Sequence, residues 1–258
     1  MARRRDGAAV AARKVAGMAD RGDGRVAEKA KRGELSMRVE TLPGLRQQVA
    51  ERLRLAIATG RFPAGTRLIE RELCEMMGVS RTSLREALRE LQTDGLITLQ
   101  PNRGLSVSIV SRQTAQSIYE VRANLEGLAA RLFARNASEE QVRSLKESVE
   151  RLAEVYDDFS AEAFIAAKTH FYDVLLAGGG NEVAADMLRR IHTRVSQLRV
   201  VSLSSATRAR ESIRELREFV AALERRDEDE AWRLCTAHVE AAARAALSAI
   251  GSGQPDRR

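Results

Sequence analysis

Arginines recur at every fourth position in one stretch of the chain, at Arg81, Arg85 and Arg89. On a helix that spacing gathers them roughly on one face. Leu84, Leu88 and Leu91 form the opposite, apolar stripe. A guanidinium presents paired N–H donors that match O6 and N7 of guanine, so such a helix can read bases in a major groove. Arg81 and Arg85 lie in its first half, the half usually inserted. Thr82 and Ser83 add hydroxyls for phosphates or base edges. Arg71 opens the preceding helical stretch and can reach across to the same groove. Arg103 and Gly104 tip a P-N-R-G turn, where a small backbone can approach phosphate or the minor groove. The bland alternative, arginines that only solvate a helix face, is common. The elements around these residues argue against it.

Those elements form a pattern. A helix opening at Glu70 or Arg71 stops near Gly78, Ser80 is placed to cap the next helix, and Gly95 to stop it. Leu96–Gln100 and Leu105–Ile109 read as two strands flanking the turn. Upstream, residues 43–60 form a helix with Leu45, Val49, Leu53 and Ile57 on one stripe. The sequence F-P-A-G-T-R-L then gives a turn and a short extended piece. This is a helix-turn-helix with a β-hairpin wing, and it points to DNA. Cys74, four residues before Gly78, suits a tight helix crossing that needs a small side chain, in preference to a redox switch.

The chain has 258 residues, enough for two domains, and 44% hydrophobic residues can build a core. Only 4% are aromatic, while Ala, Leu and Arg are abundant, which favours helix. Charge is uneven. Residues 1–36 carry ten Lys and Arg against five Asp and Glu, residues 37–110 eleven against eight, and residues 111–258 twenty-two against twenty-three. The positive excess lies where phosphates would use it. Cys74 and Cys235 form no metal spacing and suit a reducing, cytoplasmic compartment. No apolar run approaches a membrane span, and the basic N-terminus lacks the apolar core of a secretory signal.

From Arg112 onward six helices fit, at about 112–136, 139–159, 161–177, 182–204, 207–226 and 228–250. Ser138 with Gln141 makes a capping box, and Gly178-Gly179-Gly180-Asn181 reads as a stop followed by a cap. Six such helices make an antiparallel bundle. The fold class expected is mainly α, an N-terminal winged helix-turn-helix with a C-terminal six-helix antiparallel bundle. Polar residues interrupt stripes that a bundle should bury. Arg122 lies among Ile118, Leu125, Ala129 and Leu132, and Arg194 among Met187, Ile191 and Leu198. Lys168 lies among Phe164, Phe171 and Leu175, and His238 between Leu234 and Ala242. Buried charges must pair or bind something. Arg122 and Arg194 suit a carboxylate, which Arg grips bidentately. The structural alternative is pairing, for instance of Arg122 with Glu126 at i, i+4, and a lone His238 is more often a satisfied core histidine.

Residues 43–110 closely resemble the winged helix of the GntR family of bacterial transcription regulators. The motifs are Gly60-Arg61-Phe62-Pro63-Ala64-Gly65-Thr66-Arg67-Leu68, with proline one place early, then Gly78 to Leu88 and Asp94 to Ile97. The resemblance implies DNA contacts at Arg71, Arg81, Arg85 and Gly104. The second half resembles the FCD effector domain of the FadR branch, with six helices as in its VanR-type subgroup. Val121–Ala130, Phe171–Asn181 and Arg226–Val239 carry that likeness. Many FCD domains hold a divalent metal with an Asp and three His. The alignment puts Lys168, Tyr172 and Leu216 at three of those places and leaves only His238. Such a set makes no metal site. His170 is about 200° away around its helix, and His192 is a remaining candidate.

The organisation expected is a disordered basic extension over 1–38, a winged helix-turn-helix over 39–110, an effector-binding and dimerisation domain over 111–250, and a disordered tail over 251–258. The function expected is a cytoplasmic, ligand-responsive transcription regulator, most simply a repressor, that binds an inverted-repeat DNA operator as a homodimer. Its effector would be a small organic anion held without metal or other cofactor by Arg122, Lys168, Tyr172, Arg194 and His238. A constitutive or architectural DNA-binding dimer is the alternative. Nothing favours an enzyme: there is no Ser-His-Asp set, and the glycine run follows a helix rather than a strand, so it is no phosphate cradle.

Overall fold

The apolar stripe opposite the arginines decides the first packing. The computed structural model describes residues 44–101, 103–202 and 206–253. The extension expected over 1–38 and Asn102 of the wing turn lie outside them. The first module comprises α1 (Leu45–Ala58), α2 (Glu70–Met77) and α3 (Arg81–Thr93). Leu84, Ala87, Leu88 and Leu91 of α3 pack on Val49, Ala50, Leu53 and Ile57 of α1 and Leu73 of α2. Leu45, expected on the same stripe, is exposed because it is the first residue of α1 and precedes the packed turns. Gly78 ends α2 at φ 65°, a left-handed conformation that a side chain would oppose. Ser80 then accepts the Ser83 amide at 3.2 Å and caps α3. Cys74 is half-buried and packs on this core.

The wing is an antiparallel pair, β1 (Ile97–Gln100) and β2 (Gly104–Val107), with Ile97 opposite Val107 and Gln100 opposite Gly104. The extended piece before α2 runs along the free edge of β2. Leu68 donates its amide to the Leu105 carbonyl at 2.8 Å, and Val107 donates to that of Thr66 at 2.9 Å. The hairpin is thereby tied to the helices on both sides.

The second module comprises α4 (Arg112–Asn136), α5 (Glu139–Asp157), α6 (Ala161–Gly179), α7 (Glu182–Ser202), α8 (Ala206–Glu224) and α9 (Glu228–Gly253). Ser111, Ser138 and Ser160 cap α4, α5 and α6, and Ser138 and Gln141 complete a capping box. Ion pairs fix the antiparallel register. Arg131 meets Asp229 at 2.6 Å and Arg135 meets Glu228 at 2.5 Å between α4 and α9. Lys146 meets Glu224 at 2.8 Å and Arg217 meets Glu150 at 2.6 Å between α5 and α8. These exposed pairs are screened by solvent and set register more than stability. The core is Phe133, Leu145, Phe164, Phe171, Leu175, Leu216 and Phe219.

Two expected boundaries move. Gly178 and Gly179, read as a stop, belong to α6, and Gly180 makes the left-handed cap at φ 70°. A Cβ on Gly178 would stand 2.3 Å from the Phe133 ring, so this glycine serves the close approach of α6 to α4. α9 is helical through Gly253, past residue 251 where the C-terminal tail was expected to start, and residues 254–258 lie outside the described residues.

Candidate functional site

The exposed side of α3 carries Arg81, Thr82, Arg85 and Arg89, with Ser83 partly covered beside its cap. Arg85 is not idle there. Its Nε donates to both carboxylate oxygens of Glu70 on α2, at 2.8 and 3.1 Å. Arg71 lies 3.6 Å from Glu75, one turn along α2. Both pairs are solvent-exposed and screened by salt, so a phosphate or base can displace them at small cost. Arg103 is exposed at the wing tip, and Gly104 holds φ 76° with open space where a Cβ would sit. Between α3 and the wing runs a groove of about 520 Å³ lined by Arg67, Glu70, Arg85, Arg89, Leu99 and Gly104. Arg67 and Arg89 were not among the expected contacts. The four-residue spacing already placed Arg89 on this face. Arg67 owes its place to pairing of its backbone with Ser106 of β2, a long-range contact with no local signal.

A second concavity, of about 570 Å³, opens where the two modules meet. Arg54 of α1 and Asp94 at the end of α3 form part of one wall. Lys168 and Tyr172 of α6, with Arg190 and His192 of α7, form another. Of the five expected effector residues, Lys168 and Tyr172 line this cleft. Lys168 is 4% exposed, and its ammonium stands 5.1 Å from the Phe171 ring centre and 5.5 Å from that of Tyr172.

Arg122 and His238 sit behind the cleft wall, each with a carboxylate. The Arg122 Nε donates to Glu126 at 2.5 Å and its Nη2 to the Tyr172 hydroxyl at 2.8 Å. That hydroxyl donates in turn to the other Glu126 oxygen at 3.2 Å. His192 Nε2 lies 2.7 Å from Glu126, and since a carboxylate only accepts, that nitrogen carries the proton. The structural pairing of Arg122 with Glu126 is therefore realised, and the arginine does not offer its fork to a ligand. Its Nη1 is buried with no hydrogen-bond partner among the described residues. Burial opposes the Arg122 charge, but Glu126 and the tyrosines outweigh it and hold the guanidinium ionised.

On the far side, His238 Nδ1 donates to Glu215 at 2.6 Å, and Arg208 grips the same carboxylate with two bonds of 2.9 Å. Burial, reinforced by Lys168 and Arg122, pushes His238 down to about 4 despite Glu215, so the imidazole is neutral. Burial alone would raise Glu215, yet the bonds from His238 and Arg208 bring it down to about 2. Burial also pushes the Cys235 thiol up, and it stays protonated.

Arg194 departs from the expectation. It is exposed, and its Nε would lie 3.2 Å from a Cβ on Gly95, against the turn that follows α3. The buried face of α7 is Ala184, Ala185, Leu188 and Val195; of the expected stripe, Ile191 and Leu198 pack against this core, whereas Met187, 52% exposed, and Arg194 lie at its edge. Glu126, His192, Arg208 and Glu215 were not among the expected site residues. Glu126 carried a signal, its i, i+4 offset from Arg122. Arg208 and Glu215 are two turns apart on one helix, and His192 meets Glu126 only through tertiary packing.

The FCD resemblance raises a metal, and the residues do not fit one. At the corresponding places stand a buried ammonium, a phenol already bonded to Glu126 and Arg122, and Leu216, which has no donor. Among the described residues no three His, Cys, Asp or Glu side chains group as ligands.

A winged helix whose α3 is rich in arginine, carried on a helical bundle with a polar interior, defines a DNA-binding regulator. Known proteins agree. Residues 45–107 match the bacterial regulatory proteins of the gntR family, and residues 117–241 match the FCD domain. The Nta operon transcriptional regulator of Aminobacter aminovorans is 30% identical over 179 residues, 69% of this chain and 83% of that protein. The HTH-type transcriptional repressor RspR of Escherichia coli (strain K12) is 26% identical over 194 residues, 75% of this chain and 85% of its own. The solved structure of E. coli McbR/YncC shares the fold with a TM-score of 0.69 at 22% identity, covering 77% of this chain and 95% of that one. The chain belongs to the GntR family of bacterial regulatory proteins and is a transcription regulator with an FCD domain.

Proposed function

We propose that this regulator binds an inverted-repeat operator as a homodimer, as a repressor, and answers to a small organic anion held without metal. One observation carries the ligand class. Among the described residues, the polar centre of the bundle gathers the cations Arg122, Lys168 and Arg208 with the carboxylates of Glu126 and Glu215, beside a neutral His238. Lys168 and Tyr172 carry this group to the cleft wall. A carboxylate entering beside the Lys168 ammonium would meet a cation in a poorly solvated place, where pairing matters most. Arg122 and His238 act from behind, by holding Tyr172 and by keeping the centre's charge. The six-helix bundle supports the VanR-type reading within the FadR branch. Val121 and Leu128, exposed two turns apart on α4, supply apolar surface for a second copy. Two free cysteines suit a cytoplasmic setting, and among the described residues no helix is long and apolar enough to cross a membrane.

The DNA reading rests on the exposed Arg71, Arg81, Thr82, Arg85 and Arg103 and the partly covered Ser83 and Gly104, with Arg67 and Arg89 bordering the same groove. The constitutive alternative draws on the closed Arg122–Glu126–Tyr172–His192 network, which a purely structural core would also build. One experiment separates the two: anisotropy of labelled upstream DNA, titrated with a panel of organic acids, on the native chain and on Lys168→Met. An acid that shifts DNA affinity in the native chain and not in the variant supports the ligand reading. DNA binding that no acid shifts supports the constitutive one.

A further inference from the structure

The wing leaves one leucine in solvent on the face it turns to α3. Alternate residues of a strand share a face, and residues paired directly across a hairpin share it too. Ile97 and Leu99 of β1, paired with Val107 and Leu105 of β2, therefore make one apolar row. Ile97 and Val107 are buried, and Leu105 is half-buried against the core of the winged helix. Leu99 is 63% exposed and stands in the groove between the wing and α3. The facing wall is polar and carries Arg85, Arg89 and Gln92 of α3, all exposed. Arg85 is held by Glu70, which also lines the groove. The Arg89 side chain has no carboxylate partner among the described residues. Arg89 follows Arg81 by two turns, about 12 Å along the helix. A major groove is about 12 Å wide, so with Arg81 at the bases Arg89 falls at the rim, where the phosphates of a strand run. Along that strand phosphates alternate with deoxyriboses, whose carbon faces are apolar. An arginine on one wall and an uncovered leucine on the other match the alternation.

We propose that Leu99 is a DNA contact: the groove between α3 and the wing seats the backbone of one strand, with Arg89 on a phosphate and Leu99 against a deoxyribose. This rests on the reading above that α3 meets the bases of the operator. The two side chains fix the register of the winged helix on the duplex and carry no sequence information, which leaves base readout to Arg81 and Arg85. Covering Leu99 removes from water an apolar surface that the fold leaves open, so this contact adds affinity without adding charge.

The test is fluorescence anisotropy of the full chain on two labelled duplexes of equal length, the upstream DNA and a scrambled version of it, over a series of salt concentrations. Leu99→Thr is expected to weaken both duplexes alike, by roughly tenfold for each winged helix engaged, the scale of burying most of one leucine side chain. Its slope of log affinity against log salt stays native, because no charge is lost. Leu99→Ile restores most of the affinity and guards against misfolding of the first variant. Arg89→Gln also weakens both duplexes, and its slope becomes shallower by about 0.9 for each winged helix engaged. Native affinity of Leu99→Thr on both duplexes, or a native salt slope in Arg89→Gln, overturns the proposal. A changed ratio between the duplexes in Leu99→Thr overturns it too, since Leu99 would then touch a base. So does a change in sedimentation mass of Leu99→Thr without DNA, since Leu99 would then pack on a second copy. A native chain that binds neither duplex overturns the DNA reading of α3 itself.

Discussion

In the winged helix the arginines of α3 stand in solvent, and in the bundle Arg122 and Lys168 stand in the core. The same residue chemistry therefore has opposite energetics in the two modules. An exposed arginine costs little to keep and little to lose, so the face of α3 is free to be shaped by what it binds. A buried arginine must be matched, and Glu126, Tyr172 and His192 are arranged around Arg122 to do so. Changes on the first surface should alter binding without altering stability. Changes in the second centre should alter stability first.

The largest break in that contrast is Arg122→Ala. It removes the cation that faces the buried Glu126 carboxylate, and urea unfolding should show a loss of about 3–5 kcal/mol. A loss of effector response with an unmoved unfolding midpoint would mean that Arg122 is a ligand contact after all. Next comes pH. His238 is held at about 4 in the folded chain against 6.5 ordinarily, so the unfolded chain takes up a proton first as pH falls. Its contribution is complete above about pH 6.5 and is lost towards pH 4, by roughly 3 kcal/mol. Glu215, ordinarily at 4.5 and held at about 2, adds a further loss in the same direction, between those two values. His238→Gln should flatten the first part of the acid limb and leave the second. Smaller again is Arg81→Ala, expected to cost about 1–3 kcal/mol of operator affinity with relaxed preference at one base and no change in unfolding midpoint. The smallest is Glu70→Gln, which frees Arg85. Salt-dependent DNA binding should change by about 0–1 kcal/mol.

The contrast also explains what could be read from the sequence. The winged helix was legible because its signals are local: the Ser80 cap, the left-handed Gly78 and the four-residue arginine spacing all act within a few residues. Arg67 was missed because its position depends on backbone pairing with the distant Ser106. In the bundle the helices were legible, and so was the polar character of Arg122, Lys168 and His238. Their partners were less so. Glu126 was foreseeable at one turn's distance, whereas Glu215 meets His238 across two helices. The stripe through Arg194 failed because Met187 and Arg194 flank the buried face of α7, and periodicity alone does not fix a helix's rotation to better than one position. Gly178 misled for a related reason, since a glycine needed for the close approach of Phe133 looks like a glycine that ends a helix.

The central claim is that Lys168 and its neighbours serve an organic anion where a metal would otherwise be held. The most direct measurement titrates the acid response of DNA binding with and without EDTA, on protein purified without chelator and analysed for metals. The account predicts no stoichiometric metal and the same titration curve under both conditions. A bound metal at one per chain, whose removal abolishes the response, would contradict it.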